Sequence, residues 1–229
     1  ERPDGMPMPV FSGSVMTKIY DSEQETTCYN HASATVPFKF PSRDKVLFSG
    51  IDSIQNGHFS VTFPIPLDIN YSDKSGRLVL YAISSDKQME ANGYSEQFFV
   101  GSTDTQLQTD SVGPQIRVWL NDVENPEGAR VNRTPLFRAS LKDISGINMT
   151  GNGIGHDIEL IIDDNPATTY NLNSSFVNEF GDYTSGTVSM LLPQLSAGKH
   201  WLKFRAWDTM NNHSEVSCQF EVDPGLRPQ

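Results

Sequence analysis

His200-Trp201-Leu202-Lys203-Phe204-Arg205-Ala206-Trp207 is the stretch that decides the fold. His200, Leu202, Phe204 and Ala206 fall on one side of an extended chain, and Trp201, Lys203, Arg205 and Trp207 on the other. A period of two is the period of a strand, whose successive side chains point to opposite faces. The same pattern recurs outward in both directions. Ile158, Leu160 and Ile162 share a face, as do Phe137, Ala139 and Leu141, and Ile116, Val118 and Leu120. Towards the N-terminus, Leu78, Leu80 and Ala82 alternate with Val79, Tyr81 and Ile83, and Phe59, Val61 and Phe63 with His58, Ser60 and Thr62. Alternation that leaves one face polar suits antiparallel sheets with one wet side. No convincing long amphipathic helix is legible.

Turn signals separate these runs: Gln55-Asn56-Gly57, Ser72 to Gly76, Asp163-Asp164-Asn165-Pro166 and Ser196-Ala197-Gly198. Gly, Asn and Asp supply the positive-φ positions that tight turns need. Many short strands with regular turns predict an all-β protein, and the spacing fits two tandem immunoglobulin-like β-sandwich domains. Residues 102–112 are polar and nearly free of core residues, and Pro114 follows closely. They read as a linker. The expected division is a sandwich over residues 1–101, truncated at its start, a linker over 102–112, an immunoglobulin-like sandwich over 113–222 and a linker tail over 223–229. The opening Glu1-Arg2-Pro3-Asp4-Gly5 reads as text from within a longer chain.

Hydrophobic residues make up 37% of the 229 and charged ones 20%, enough apolar content for a core and too little charge for wholesale disorder. The formal charge of −11, without a basic cluster, argues against nucleic acid as a partner. No apolar run is long enough for a membrane helix, so no direct membrane insertion is expected. There are two cysteines. Cys218 alternates with Val216, Phe220 and Val222 and should face a core. Cys28 lies in polar text, in the other domain, and a Cys28–Cys218 disulfide is not the expected state.

Candidate chemistry is sparse. A nucleophilic Cys needs a base within hydrogen-bond reach. Cys28 and His31 are near in sequence only, and such pairs usually come from separate elements. The segment from Asp143 to Asp157 packs four glycines, Gly146, Gly151, Gly153 and Gly155, among oxygen-bearing side chains. Asp143, Asn148, Asn152 and Asp157 could supply calcium ligands. Their spacing matches no EF-hand, and dense glycine more often shapes turns. His156 is weaker still as a metal ligand. The run from Gly151 to Gly155 precedes no helix, so it does not read as a phosphate cradle. Trp119, Trp201 and Trp207 could form a sugar-stacking platform, although aromatics on sandwich strands mostly serve packing. This reading assigns no catalytic, cofactor-binding or metal-ligating residue, and no cofactor.

Thr150-Gly151-Asn152-Gly153-Ile154-Gly155-His156-Asp157-Ile158 resembles a motif that follows the peptidase domain of PorU-type proteins. These are gingipain-like cysteine peptidases that act as sortases of the type IX secretion system in Gram-negative bacteria. The neighbours agree: Asp143 to Asn148 before it, Asp182 to Val188 and Ala206-Trp207-Asp208 after it. In the first half, Val46 to Gly50, Gly57 to Phe63, Pro66-Leu67-Asp68-Ile69-Asn70-Tyr71 and Gly93-Tyr94 to Phe98 also resemble the family. The segment around Cys28 does not. The resemblance implies that the catalytic His and Cys lie in a peptidase domain upstream, so no residue here inherits those roles. It implies a non-catalytic spacer and interaction module at the cell surface or outer membrane, exported through the periplasm. Its partners would be its own upstream peptidase domain, a downstream C-terminal domain and other type IX secretion components. The alternative class is a carbohydrate-binding or adhesive β-sandwich of a cell-surface protein.

Overall fold

The computed structural model describes residues 6, 8–29, 36–72, 74–101, 110–151, 153 and 155–227. The first half holds β1 (Gly13–Tyr20), β2 (Gln24–Cys28), β3 (Phe38–Ser42), β4 (Val46–Ile54), β5 (Arg77–Ser84) and β6 (Glu90–Ser95). The second holds β7 (Gln115–Leu120), β8 (Val123–Glu124), β9 (Arg130–Val131), β10 (Leu136–Lys142), β11 (Glu159–Ile162), β12 (Thr169–Asn171), β13 (Val177–Glu179), β14 (Asp182–Leu191), β15 (Gly198–Trp207) and β16 (His213–Val222). Helix is confined, among the described residues, to two single 3₁₀ turns, Pro166–Thr168 and Asn173–Ser175. None is long and apolar enough to cross a membrane.

The second half is a two-sheet sandwich. One sheet runs β13-β14-β10-β7-β8 and the other β12-β11-β15-β16-β9. Taking β7 as strand A, these are the A-B-E-D and C-F-G arrangements of an immunoglobulin domain, widened by β12 beside β11 and by β9 parallel to β16. The alternation read from the sequence fills the space between them. Val118, Leu120, Phe137, Ala139, Leu141 and Val188 face Leu160, Ile162, Leu202, Phe204, Ala206 and Phe220, all buried. The rings of Phe137 and Phe204 meet across the gap at 5.2 Å. Burying each such side chain contributes roughly 1.5–3 kcal/mol. Cys218 is buried in this core and Cys28 is exposed, and both are free thiols. Burial pushes the Cys218 thiol up to about 11, which leaves it inert.

In the first half β4-β1-β5-β6 form one antiparallel sheet. Its apolar residues fall into two clusters, Ile19, Leu47, Phe48, Ile69 and Val100, and Phe11, Val15 and Ile54. The expected strand through Phe59, Val61 and Phe63 is not one: these residues pair with no ladder. Val61 and Phe63 still pack on the Ile19–Phe48 cluster. Pro64 and Pro66, which lack backbone donors, end the alternating run directly after it. Beyond Tyr20 the β1–β4 hairpin bends, with Asp21 N–H donating to Lys45 O at 2.9 Å, and continues as the separate β2–β3 ribbon. Of the expected linker, residues 102–109 lie outside the described residues.

The two halves share apolar contacts. Val46 of β4 belongs to the core of the second sandwich, with Tyr20 packed against it, and Tyr183 of β14 packs on the first-half cluster. The run Val46-Leu47-Phe48 is buried throughout. A strand covered on both faces reads as a continuous apolar run.

Candidate functional site

Polar groups converge at the seam between the halves. Asp68 follows Pro64 and Pro66 in a stretch outside any strand, and donors from the second half surround it. The Asp68 carboxylate accepts from Asn148 Nδ2 at 3.1 Å and Asn211 Nδ2 at 3.1 Å, and from His156 Nδ1. Its carbonyl accepts from Thr150 Oγ1 at 3.4 Å. The Asp68 side chain is only 11% exposed, so these bonds replace water almost completely. Beside it, Leu67 N–H donates to Thr209 O at 2.9 Å and Lys45 Nζ to Gly151 O at 3.0 Å. Along the other edge, Gly181 N–H donates to Ile51 O at 2.9 Å and Asn178 Nδ2 to Ser49 O at 3.1 Å.

The glycine-rich loop builds this seam. Gly151 and Gly155 have φ of 58° and 78°, where a Cβ is strained. Gly153 is needed for space instead: an added Cβ would lie 2.3 Å from His156 Nδ1 and 2.6 Å from Asp68 Oδ2. Asn152 lies outside the described residues. The other three oxygen donors weighed for calcium do not converge. Asn148 serves Asp68 and Thr150, and Asp157 accepts from Asn173 Nδ2 at 2.6 Å.

Asp143 joins a different group. One oxygen of its carboxylate lies with one each from Asp110 and Asp208, all three within 4.8 Å of one another. Burial is the main cause that pushes Asp143 up to about 6 and raises Asp208, and the neighbouring carboxylates add to it. Asp110 is lowered by the hydrogen bond from Ser145 Oγ. Three such carboxylates can share protons or offer oxygens to a hard cation. Part of that capacity is already used: Asp143 accepts from Ser145 N–H, and Asp208 from Met210 N–H, Asn212 N–H and Asn212 Nδ2. Sequence reasoning missed Asp68, Asp110 and Asp208 as site residues. Asp68 and Asp208 do sit inside stretches that resemble the PorU-type family, Pro66 to Tyr71 and Ala206 to Asp208, which was the available signal.

Cys28 is exposed on the β2–β3 ribbon, and His31 lies outside the described residues. The three tryptophans form no common platform. Trp119 is on β7, in the sheet opposite β15. Trp207, at one end of β15, stacks on His156 at 3.9 Å and contacts His213 at 4.7 Å. Trp201, near the other end, is exposed.

No known family profile matches the chain, and no curated protein matches it. Among solved structures, it is similar to dimeric latent PorU from Porphyromonas gingivalis, with 33% identity and a TM-score of 0.52 over 98% of its length. It spans 21% of that chain. The fold is therefore PorU-related.

Proposed function

We propose that this chain is the non-catalytic spacer and interaction unit of a PorU-type surface peptidase. It fixes the distance and angle between an upstream peptidase domain and a downstream C-terminal domain at the outer membrane. The observation that carries this reading is the Asp68 junction. Two sandwiches on a loose tether would position nothing, because domain interfaces within a chain are commonly small and mobile. Here a buried carboxylate of one half is held by three side chains of the other, beside shared apolar contacts. Removing one partner would strand the others without water, at a cost of about 1–3 kcal/mol per group. The likeness to a stretch of PorU supports the context, and the acidic surface keeps the unit soluble and away from anionic lipid.

The test uses a longer PorU-type peptidase that carries this segment. Asp68→Ala, or a Gly/Ser linker in place of residues 13–222, should leave cleavage of a short fluorogenic peptide intact. Processing of a full-length secreted protein should fall. Equal processing by all three forms would refute the spacer role.

A further inference from the structure

The outward face of β15 holds a second surface that the junction does not use. Trp201 is 47% exposed there, with Lys203 and Arg205 following on the same face. Across the ladder on β16 stand Gln219, Ser217 and Glu215. Asp164, Trp201, Leu202, Lys203, Glu215 and Ser217 line a shallow cavity of about 260 Å³. Lys203 Nζ lies 3.0 Å from Asp164 and Arg205 2.5 Å from Glu159, and Glu215 adds a third carboxylate to this face. The cavity itself carries two carboxylates, Asp164 and Glu215, against the one ammonium of Lys203.

The rim is made by a strained turn. Asp163 and Asp164 both have positive φ, 58° and 49°. Such a turn is usually Asn-Gly or Asp-Gly, and a second Asp there costs energy. The two carboxylates supply what that cost holds in place. Asp163 accepts from Trp201 N–H at 2.9 Å and from His200 Nδ1 at 2.7 Å, which fixes the strand under the indole. Asp164 reaches over to the Lys203 ammonium at the cavity, and this hydrogen bond raises the lysine's pKa above its ordinary value.

We propose that this cavity binds a neutral saccharide. The indole offers an apolar face for the C–H side of a pyranose. Asp164 and Glu215 accept from its hydroxyls, Lys203 donates, and Ser217 does both. An anionic ligand would meet two carboxylates. A peptide strand could not add to β15, because β11 and β16 already occupy both of its edges.

The probes are neutral hexasaccharides of gluco, manno and galacto configuration, titrated to millimolar concentration into the 229-residue chain. Binding is read by titration calorimetry in every variant and, where Trp201 is kept, by the Trp201 indole N–H resonance as well. At least one sugar should shift it saturably. Trp201→Ala should abolish binding, with retained spectral dispersion showing that the domain still folds. Lys203→Gln should weaken binding about tenfold through loss of a charged hydrogen bond, and Trp119→Phe should leave it unchanged. Failure of all three sugars to shift Trp201 overturns the proposal. So does binding that survives both Trp201→Ala and Lys203→Gln, or a face that saturates only with a protein ligand.

Discussion

Asp143 shows how burial, helped by two neighbouring carboxylates, sets the protonation preference of one residue. The residue is 7% exposed, its carboxyl lies close to two other acids, and burial raises its pKa from the ordinary 3.8 to about 6. A folded-state pKa above the unfolded one means that the fold prefers the protonated acid. Its stabilisation is full below about pH 3.8 and is lost as pH rises through about 6. At pH 7 the penalty from this group is about 3 kcal/mol, at about 1.4 kcal/mol per unit. Asp143→Asn should therefore raise the melting temperature of the second sandwich at pH 7 and flatten its change between pH 4 and pH 6, measured in chelator. A lower melting temperature for the variant at pH 7 would contradict this. Gly153→Ala should destabilise the chain by roughly 1–3 kcal/mol in denaturant unfolding, since its Cβ collides with the Asp68–His156 pair. A neutral result would mean that the loop gives way freely. The glycine-dense text did announce a shaped loop. It could not announce what Gly153 makes room for, because Asp68 belongs to the other half of the chain. Asp143 likewise read as a partner of the nearby Asn148 and Asp157, when its neighbours are Asp110 and Asp208, distant from it in sequence.

Elements were legible where alternation ran uninterrupted. β10, β15 and β16 each keep period two with one face buried, and the sheets follow from them. Residues 59–63 alternate as well, yet they pair with no ladder and serve the core through Val61 and Phe63 alone. The β2–β3 ribbon had too little pattern to place, and its burial shows why. Phe38 and Phe40 stack on each other at 5.9 Å, both exposed, and the Lys39–Glu25 pair beside them is exposed too. A two-stranded ribbon that buries so little is marginal on its own. Amide exchange should therefore be fast across residues 24–28 and 38–42 and slowest in β15 and β16, where opening requires global unfolding. Equal protection in both would show that the ribbon is covered in solution. On β14, Gly186→Ala would place a Cβ 2.3 Å from Phe176 Cζ and 2.6 Å from Val177 O. It should cost about 1–3 kcal/mol in the same unfolding experiment.

At the scale of the whole molecule, the alternation and turns announced two β units, and the likeness to PorU gives them a context. What the sequence could not show is how far they merge. The tryptophans, the largest apolar side chains on these strands, are not what covers the gap between the halves. The covering side chains are instead Val46, Tyr20 and Tyr183, with Trp207 acting through the His156 ring. Strand text alone does not reveal which side chains at a strand end meet a neighbour distant in sequence. The isolated chain should cleave no Arg-, Lys- or C-terminal-signal peptide, and any cleavage lost on Cys28→Ala would contradict the proposed non-catalytic role. The central claim is that the halves form one rigid unit, and an interlabel distance distribution tests it most directly. With Cys28→Ser as background, spin labels at Ser95→Cys on β6 and Ser217→Cys on β16 report across the junction. A single narrow distribution is predicted, broadening in Asp68→Ala. A broad distribution in the unaltered junction, or no change on removing Asp68, would contradict the account.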